Sequence, residues 1–207
     1  MRYLLLWETR EREAHNLMRD GPTLADLRNS LKLFNVSRTF PGIQDAQKLA
    51  LVLNALQRIT RNGASSPVEN VTSLARKFHD DFGNNNVSAA SKLLWLTFRS
   101  PYIISDRRAV DGLKRLLPHF KNKGYADYFA AWTTAYAEHS SDLVRAARQL
   151  PKLQPFFGSW GETRDSLASI ANERWFLERV FDIYLWELGD GQQIVGRERR
   201  ERVSQLA

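Results

Sequence analysis

The sequence predicts an all-helical protein, and three observations predict it. Apolar residues recur at helical spacing along most of the 207 residues. Helix start signals, with Ser, Thr or Asp before an apolar run and Pro at the first helical position, punctuate the chain. No run of convincing length alternates with the period of a strand.

The elements follow in order. Thr23, after Pro22, caps a helix carrying Leu24, Leu27, Leu31 and Phe34 on one face. Pro41 opens a second helix, striped by Ile43, Ala46, Leu49, Leu53 and Leu56 and ended by Arg61-Asn62-Gly63. Ser66-Pro67-Val68-Glu69 has the form of a capping box, and its helix buries Val68, Val71, Leu74 and Phe78. Gly83 and Asn84, Asn85 and Asn86 break the chain before a helix from about Val87 to Phe98. Pro101 to Ser105 reads as an extended link, and Asp106 starts a helix carrying Val110, Leu113 and Leu117. An aromatic-rich helix runs from Tyr125 to His139, and Ser140 or Ser141 caps another that stops at Pro151. After a loop from Pro155 to Gly161, one long helix is expected from Thr163 to Leu188, with Leu167, Ile170, Leu177, Phe181 and Tyr184 buried and Gly189 as its stop. The charged tail, GRERRERVSQLA, reads as a solvated end.

Composition narrows the chemistry. Hydrophobic residues make up 43% of the chain, enough for a sizeable core. The formal net charge of +7 favours a polyanionic partner such as nucleic acid. Cysteine is absent, which excludes disulfides, thiolate metal sites, iron–sulfur clusters and cysteine nucleophiles. His15, His79, His119 and His139 are scattered without metal-ligand spacing, so no cofactor is expected. The N-terminal segment lacks a signal-peptide pattern and no window is apolar enough to span a bilayer, so a cytoplasmic protein with no membrane partner is expected, acting as a monomer.

Residues 84–109, NNNVSAASKLLWLTFRSPYIISDRRA, read as turn, helix, extended link, then an aspartate opening a new helix. This segment resembles the helix–hairpin–helix DNA glycosylases, the superfamily of endonuclease III, the MutY-type adenine glycosylases and 8-oxoguanine glycosylase. In that pattern a hairpin of the form G-V-G-x-K-T-A precedes an apolar helix and a catalytic aspartate. Without a gap, the alanine of the hairpin falls on Ala90 and the aspartate on Asp106. The resemblance implies two helical lobes around a cleft, one from about residues 20–103 and the other from 1–19 plus 104–207. It implies Asp106 as the catalytic carboxylate that stabilises an oxocarbenium-like sugar and orients water. On the residues alone, Asp106 could equally be an ordinary helix cap.

The hairpin would present backbone N–H groups to phosphates without reading sequence. Asn84, Asn85, Asn86, Ser88, Arg107 and Arg108 are the candidate DNA contacts. Asn84 and Asn86 stand where the family has glycine, and asparagine tolerates the left-handed conformation such a turn needs. The lysine nucleophile of the bifunctional members falls on Ser88, which cannot form an imine. This points to a monofunctional enzyme that leaves an abasic site. Lys92, one turn along the same face, joins Asp106 as a candidate of the reacting site, contacting DNA or sugar; the alternative is a solvated surface lysine.

From Arg99 to Lys123 seven basic residues (Arg99, Arg107, Arg108, Lys114, Arg115, Lys121 and Lys123) face only Asp106 and Asp111, a concentration suited to double-stranded DNA. Tyr125, Tyr128, Phe129, Trp132 and Tyr136 could stack on a flipped base, though at helical spacing such residues are more often core. The cluster-free chain with its SAASKLLWL helix is similar to the glycosylases of bacterial antiviral defence that inhibit bacteriophage replication. That resemblance implies glucosylated 5-hydroxymethylcytosine of phage DNA as substrate. A repair glycosylase for oxidised or alkylated bases, a non-catalytic helix–hairpin–helix DNA-binding module, and a helical adaptor with a basic face remain as alternatives.

Overall fold

The structure, a computed structural model, describes residues 2–36, 43–62, 65–157 and 161–190, and among these every regular element is helical. None of the helices is long and apolar enough to cross a membrane. The expected helix start at Pro41, the stop at Gly63 and the charged tail lie outside the described residues.

The chain begins with a helix that the apolar pattern does not indicate. Helix α1 (Arg2–Leu6), a π-helical turn (Trp7–Glu11) and α2 (Arg12–Arg19) follow without a break. Their buried face is Tyr3, Leu4, Trp7, Glu11, His15 and Met18. Two of those six positions are polar, which hides the stripe from an apolar count.

The capping signals fall where the sequence places them. Thr23 and Asp26 form a capping box on α3 (Leu24–Leu33). Ser66 with Glu69 boxes α5 (Pro67–Phe82), with Pro67 in the first turn, whereas α4 (Ala46–Asn62) is capped by Asp45, which the sequence pattern does not single out, and leaves Ile43 in the turn before it. Helix α6 spans Val87–Phe98, and α7 spans Arg107–Leu116 with Asp106 as its cap.

Two expectations fail in the C-terminal half. Helix α8 runs unbroken through Tyr125–Ala147, because the Ser140 hydroxyl donates back to Ala137 O within the helix instead of starting a new one. A 3-10 turn (Leu150–Leu153), which holds Pro151, and the short α9 (Gln154–Phe157) come next. The expected helix over 163–188 is two, α10 (Arg164–Asn172) and α11 (Arg174–Gly189). Glu173 lies between them in an extended conformation, and its carbonyl accepts from the Phe176 and Leu177 N–H groups, restarting the helix in a new direction. Tyr184, expected in the core, is 41% exposed.

One continuous apolar core joins all these elements except the short α9. Its tightest seam is α7 against α11. A Cβ on Gly112 would lie 2.0 Å from Leu185 O, and one on Gly189 would lie 1.9 Å from Arg108 O, so only glycine permits this approach. The seam clamps the start of α7, and Asp106 with it, against the end of α11.

Candidate active site

Helices α5 and α6 are joined by the four-residue turn Gly83–Asn86 and pack on each other, a hairpin of two helices. The left-handed residue of this turn is Gly83, at φ 72°. Asn84 and Asn86 do not adopt positive φ, contrary to expectation. Asn86 instead caps α6, its Oδ1 accepting from Ala89 N at 2.9 Å, which keeps its side chain inside the turn. Asn84 and Asn85 are exposed at the tip and Ser88 is half-buried on the first turn of α6.

Beyond the hairpin, the chain from Tyr102 to Asp106 crosses the interior, and buried side chains fix its backbone residue by residue. Tyr125 and Tyr128 donate to the Ile103 and Ile104 carbonyls, each at 2.9 Å. The Ile104 N–H reaches Asp182 Oδ2 at 3.4 Å, and the Ser105 N–H reaches Ser91 Oγ at 3.0 Å. Tyr125, Tyr128 and Trp132 are thus buried wall residues, and none of them borders the cavity that Asp106 lines. Such outer support holds a reacting group in place.

The group so placed is Asp106. Its Oδ1 accepts from Ala109 N at 3.0 Å at the start of α7, and its Oδ2 lies 3.5 Å from Lys92 Nζ. Lys92 is not a solvated surface lysine. It is 9% exposed, because the small residues flanking it on α6 let the link pack close. Burial lowers its ammonium from the usual lysine range, opposed by Asp106. A buried lysine paired with a helix-capping aspartate is a chemically unusual placement, of the kind that clusters at functional sites.

Lys92 and Asp106 share a cavity of about 480 Å³. Phe34 and Trp186 add aromatic faces to it, and Glu11, Arg179 and Asp182 supply buried charge. Arg179 is bound by Glu11 through two contacts, Nη2–Oε1 at 2.7 Å and Nε–Oε2 at 3.4 Å, which tie α11 to the first helix. Asp182 accepts from Trp132 Nε1 at 2.8 Å as well as from Ile104 N. Burial pushes the Asp182 carboxyl up to about 7, against the opposing pull of Arg179 and its two hydrogen bonds. Of these wall residues, the sequence pattern singles out neither Glu11 nor Arg179 nor Asp182. The only signal for them is charge inside otherwise apolar helical stripes.

The basic segment divides. Arg107 points outward, its side chain 95% exposed. Arg108 is half-committed, stacked 3.8 Å over the Trp186 ring and paired with Asp190. Arg99 does not belong to the surface patch: it lies between the Trp7 and Trp175 rings, at 4.6 and 4.0 Å. Lys114, Arg115, Lys121 and Lys123 are exposed.

Compared with known proteins, the chain matches no family model, no curated protein sequence and no solved structure.

Proposed function

We propose that the protein is a DNA glycosylase of the helix–hairpin–helix type, cutting the N-glycosidic bond of a modified base flipped out of duplex DNA. The observation that carries this reading is the meeting of Lys92 and Asp106 at the wall of one cavity, on a link pinned at successive residues. At a rise of 1.5 Å per residue, Lys92 sits about 7.5 Å along α6 from its first residue beside the hairpin turn, so a backbone gripped at the hairpin can deliver a nucleotide to the cavity. The cavity draws Phe34 and Lys92 from residues 20–103 and its other charged walls from 1–19 and 104–207, which supports a cleft between the two expected lobes.

In this reading the flipped base enters the cavity and its sugar lies beside Asp106. As the bond to the base lengthens, positive charge grows on the sugar, and the fixed carboxylate stabilises it and orients water for attack. Lys92 holds the carboxylate's second oxygen. The products are the free base and an abasic site. The place of Lys92 beside Asp106 allows a second route, in which Lys92 Nζ gives up a proton, attacks C1′ of the sugar and displaces the base, and opening of the C1′–O4′ bond with proton transfer to O4′ leaves an imine. Borohydride reduction separates the two. Water attack gives no covalent DNA adduct, whereas an adduct that disappears in Lys92→Ala establishes the amine route.

The substrate of this reading is glucosylated 5-hydroxymethylcytosine of phage DNA, making the enzyme an antiviral one. The cavity is lined by the charged residues Glu11, Lys92, Asp106, Arg179 and Asp182. Its charged walls can pair with sugar hydroxyls, and a site built to do so rejects a base without them. The test compares phage DNA with and without the glucose and identifies released bases by mass spectrometry. Release from glucosylated DNA alone is expected; equal release from both, or release only of oxidised or alkylated bases, overturns the substrate. Asp106→Asn should abolish release with the fold intact, since Asn caps a helix about as well as Asp. Wild-type release by that variant would reduce Asp106 to a cap.

A further inference from the structure

Asp182 is one of the charged groups of the cavity wall that take no part in the bond-breaking step of the proposed reaction. It is 2% exposed, yet a carboxylate is costly to bury when its cation is shared. Arg179 makes its close contacts with Glu11 and stands 3.9 Å from Asp182 Oδ2. Two N–H donors converge on the carboxyl, Trp132 Nε1 on Oδ1 and the Ile104 amide on Oδ2. Both need an acceptor. Ile104 belongs to the link that carries Asp106, two residues on.

We propose that Asp182 is a proton-controlled positioning residue: ionised, it holds the Ile104 N–H and so the link that places Asp106; protonated, it lets that hold go. The proposal of a role in catalysis rests on the glycosylase reading; the switch itself does not. The chemistry is that of a carboxyl facing two donors. Ionised, it accepts from both. Protonated, one oxygen becomes a donor and only the other remains a full acceptor. The Trp132 hydrogen bond is the shorter, 2.8 Å against 3.4 Å, so the Ile104 hydrogen bond is the weaker of the two and the one that gives way.

The surroundings set where this happens. Facing Asp182 are Arg179 on α11, Glu11 and Tyr3 from the first helix, Lys92 on α6, Asp106 at the start of α7, and Tyr125 and Tyr128 on α8. Burial is the largest influence and raises the carboxyl to about 7, with Arg179 and the two hydrogen bonds pulling it down and Asp106 adding to the rise. The switch therefore operates close to neutrality. Acidification below this point loosens the link.

Nitrogen-15 NMR of the free protein reads the switch without any DNA. The Trp132 indole N–H, identified by its disappearance in Trp132→Phe, and the Ile104 amide should titrate together near 7 and cease to titrate in Asp182→Asn, which keeps an acceptor for Trp132. If neither resonance moves through neutral pH, or Trp132 moves and Ile104 does not, the proposal fails. On glucosylated phage DNA, the wild-type rate of base release should fall on the acid side of about 7. Asp182→Asn should be slower by roughly tenfold to a hundredfold with that limb gone. A variant that merely melts at lower temperature and keeps the wild-type pH profile would leave Asp182 a structural residue. If Trp132 and Ile104 titrate as expected and the wild type releases no base from any DNA, the switch stands and the glycosylase reading falls.

Discussion

His15 is a buried histidine whose ring nitrogen Nδ1 donates to Leu96 O at 2.6 Å, joining α2 to the hairpin helix α6. Burial pushes its imidazolium down to about 4. The sign of the consequence follows from linkage. Between about 6.5 and about 4 the unfolded chain takes up a proton that the folded one refuses, so the native state loses stability as pH falls through this window. His15→Gln, which can still donate to Leu96 O, should flatten that loss. The measurement is the urea midpoint as a function of pH. A variant curve parallel to that of the wild type would remove His15 as the cause. The same residue explains what the sequence concealed. His15 and Glu11 occupy core positions of the first helix, satisfied by Leu96 O and Arg179, and a pattern of apolar residues cannot register a core position filled by a bonded polar side chain.

At the scale of elements, caps were legible and breaks were not. Thr23, Ser66 and Asp106 act through hydrogen bonds to groups three residues away, which a sequence displays directly. The unbroken run of α8 through Ser140 and the break at Glu173 depend on which way the neighbouring helices need the chain to point, and serine and glutamate suit either outcome locally. The α7–α11 seam is likewise tertiary: Gly112 reads as a weak helix residue until Leu185 O is seen beside it. Gly112→Ala should force the two helices apart, with an overpacking cost of about 1–3 kcal/mol, and should lower base release beyond what the loss of stability explains, because α7 carries Asp106 at its start. Thermal melting beside the rate checks both parts. A melting point and rate equal to wild type would show that the seam can relax.

For the whole molecule, the exposed cations near α7 are the surface that the proposed function requires for holding DNA. Replacing Arg107, Lys114 and Arg115 with Ala should flatten the slope of log affinity against log salt by about 0.9 for each phosphate no longer neutralised. Arg99→Ala should leave that slope alone and lower the melting point, since its guanidinium is held between two tryptophans. An unchanged slope in the triple variant would move the DNA surface elsewhere. The half of the site made by Lys92 and Asp106 could be read from one short segment. The other half could not, because Glu11 and Arg179 are 168 residues apart and nothing local to either announces the other.

That latch between residue 11 and residue 179 has a consequence for the life of the chain. During synthesis Glu11 emerges 168 residues ahead of Arg179, so this buried glutamate has no partner until that further length of chain has been made. The cavity is therefore among the last features to form, and a nascent or prematurely terminated product lacks a wall. Any chemistry the cavity supports is withheld until Arg179 has been made and α11 has packed against the first helix.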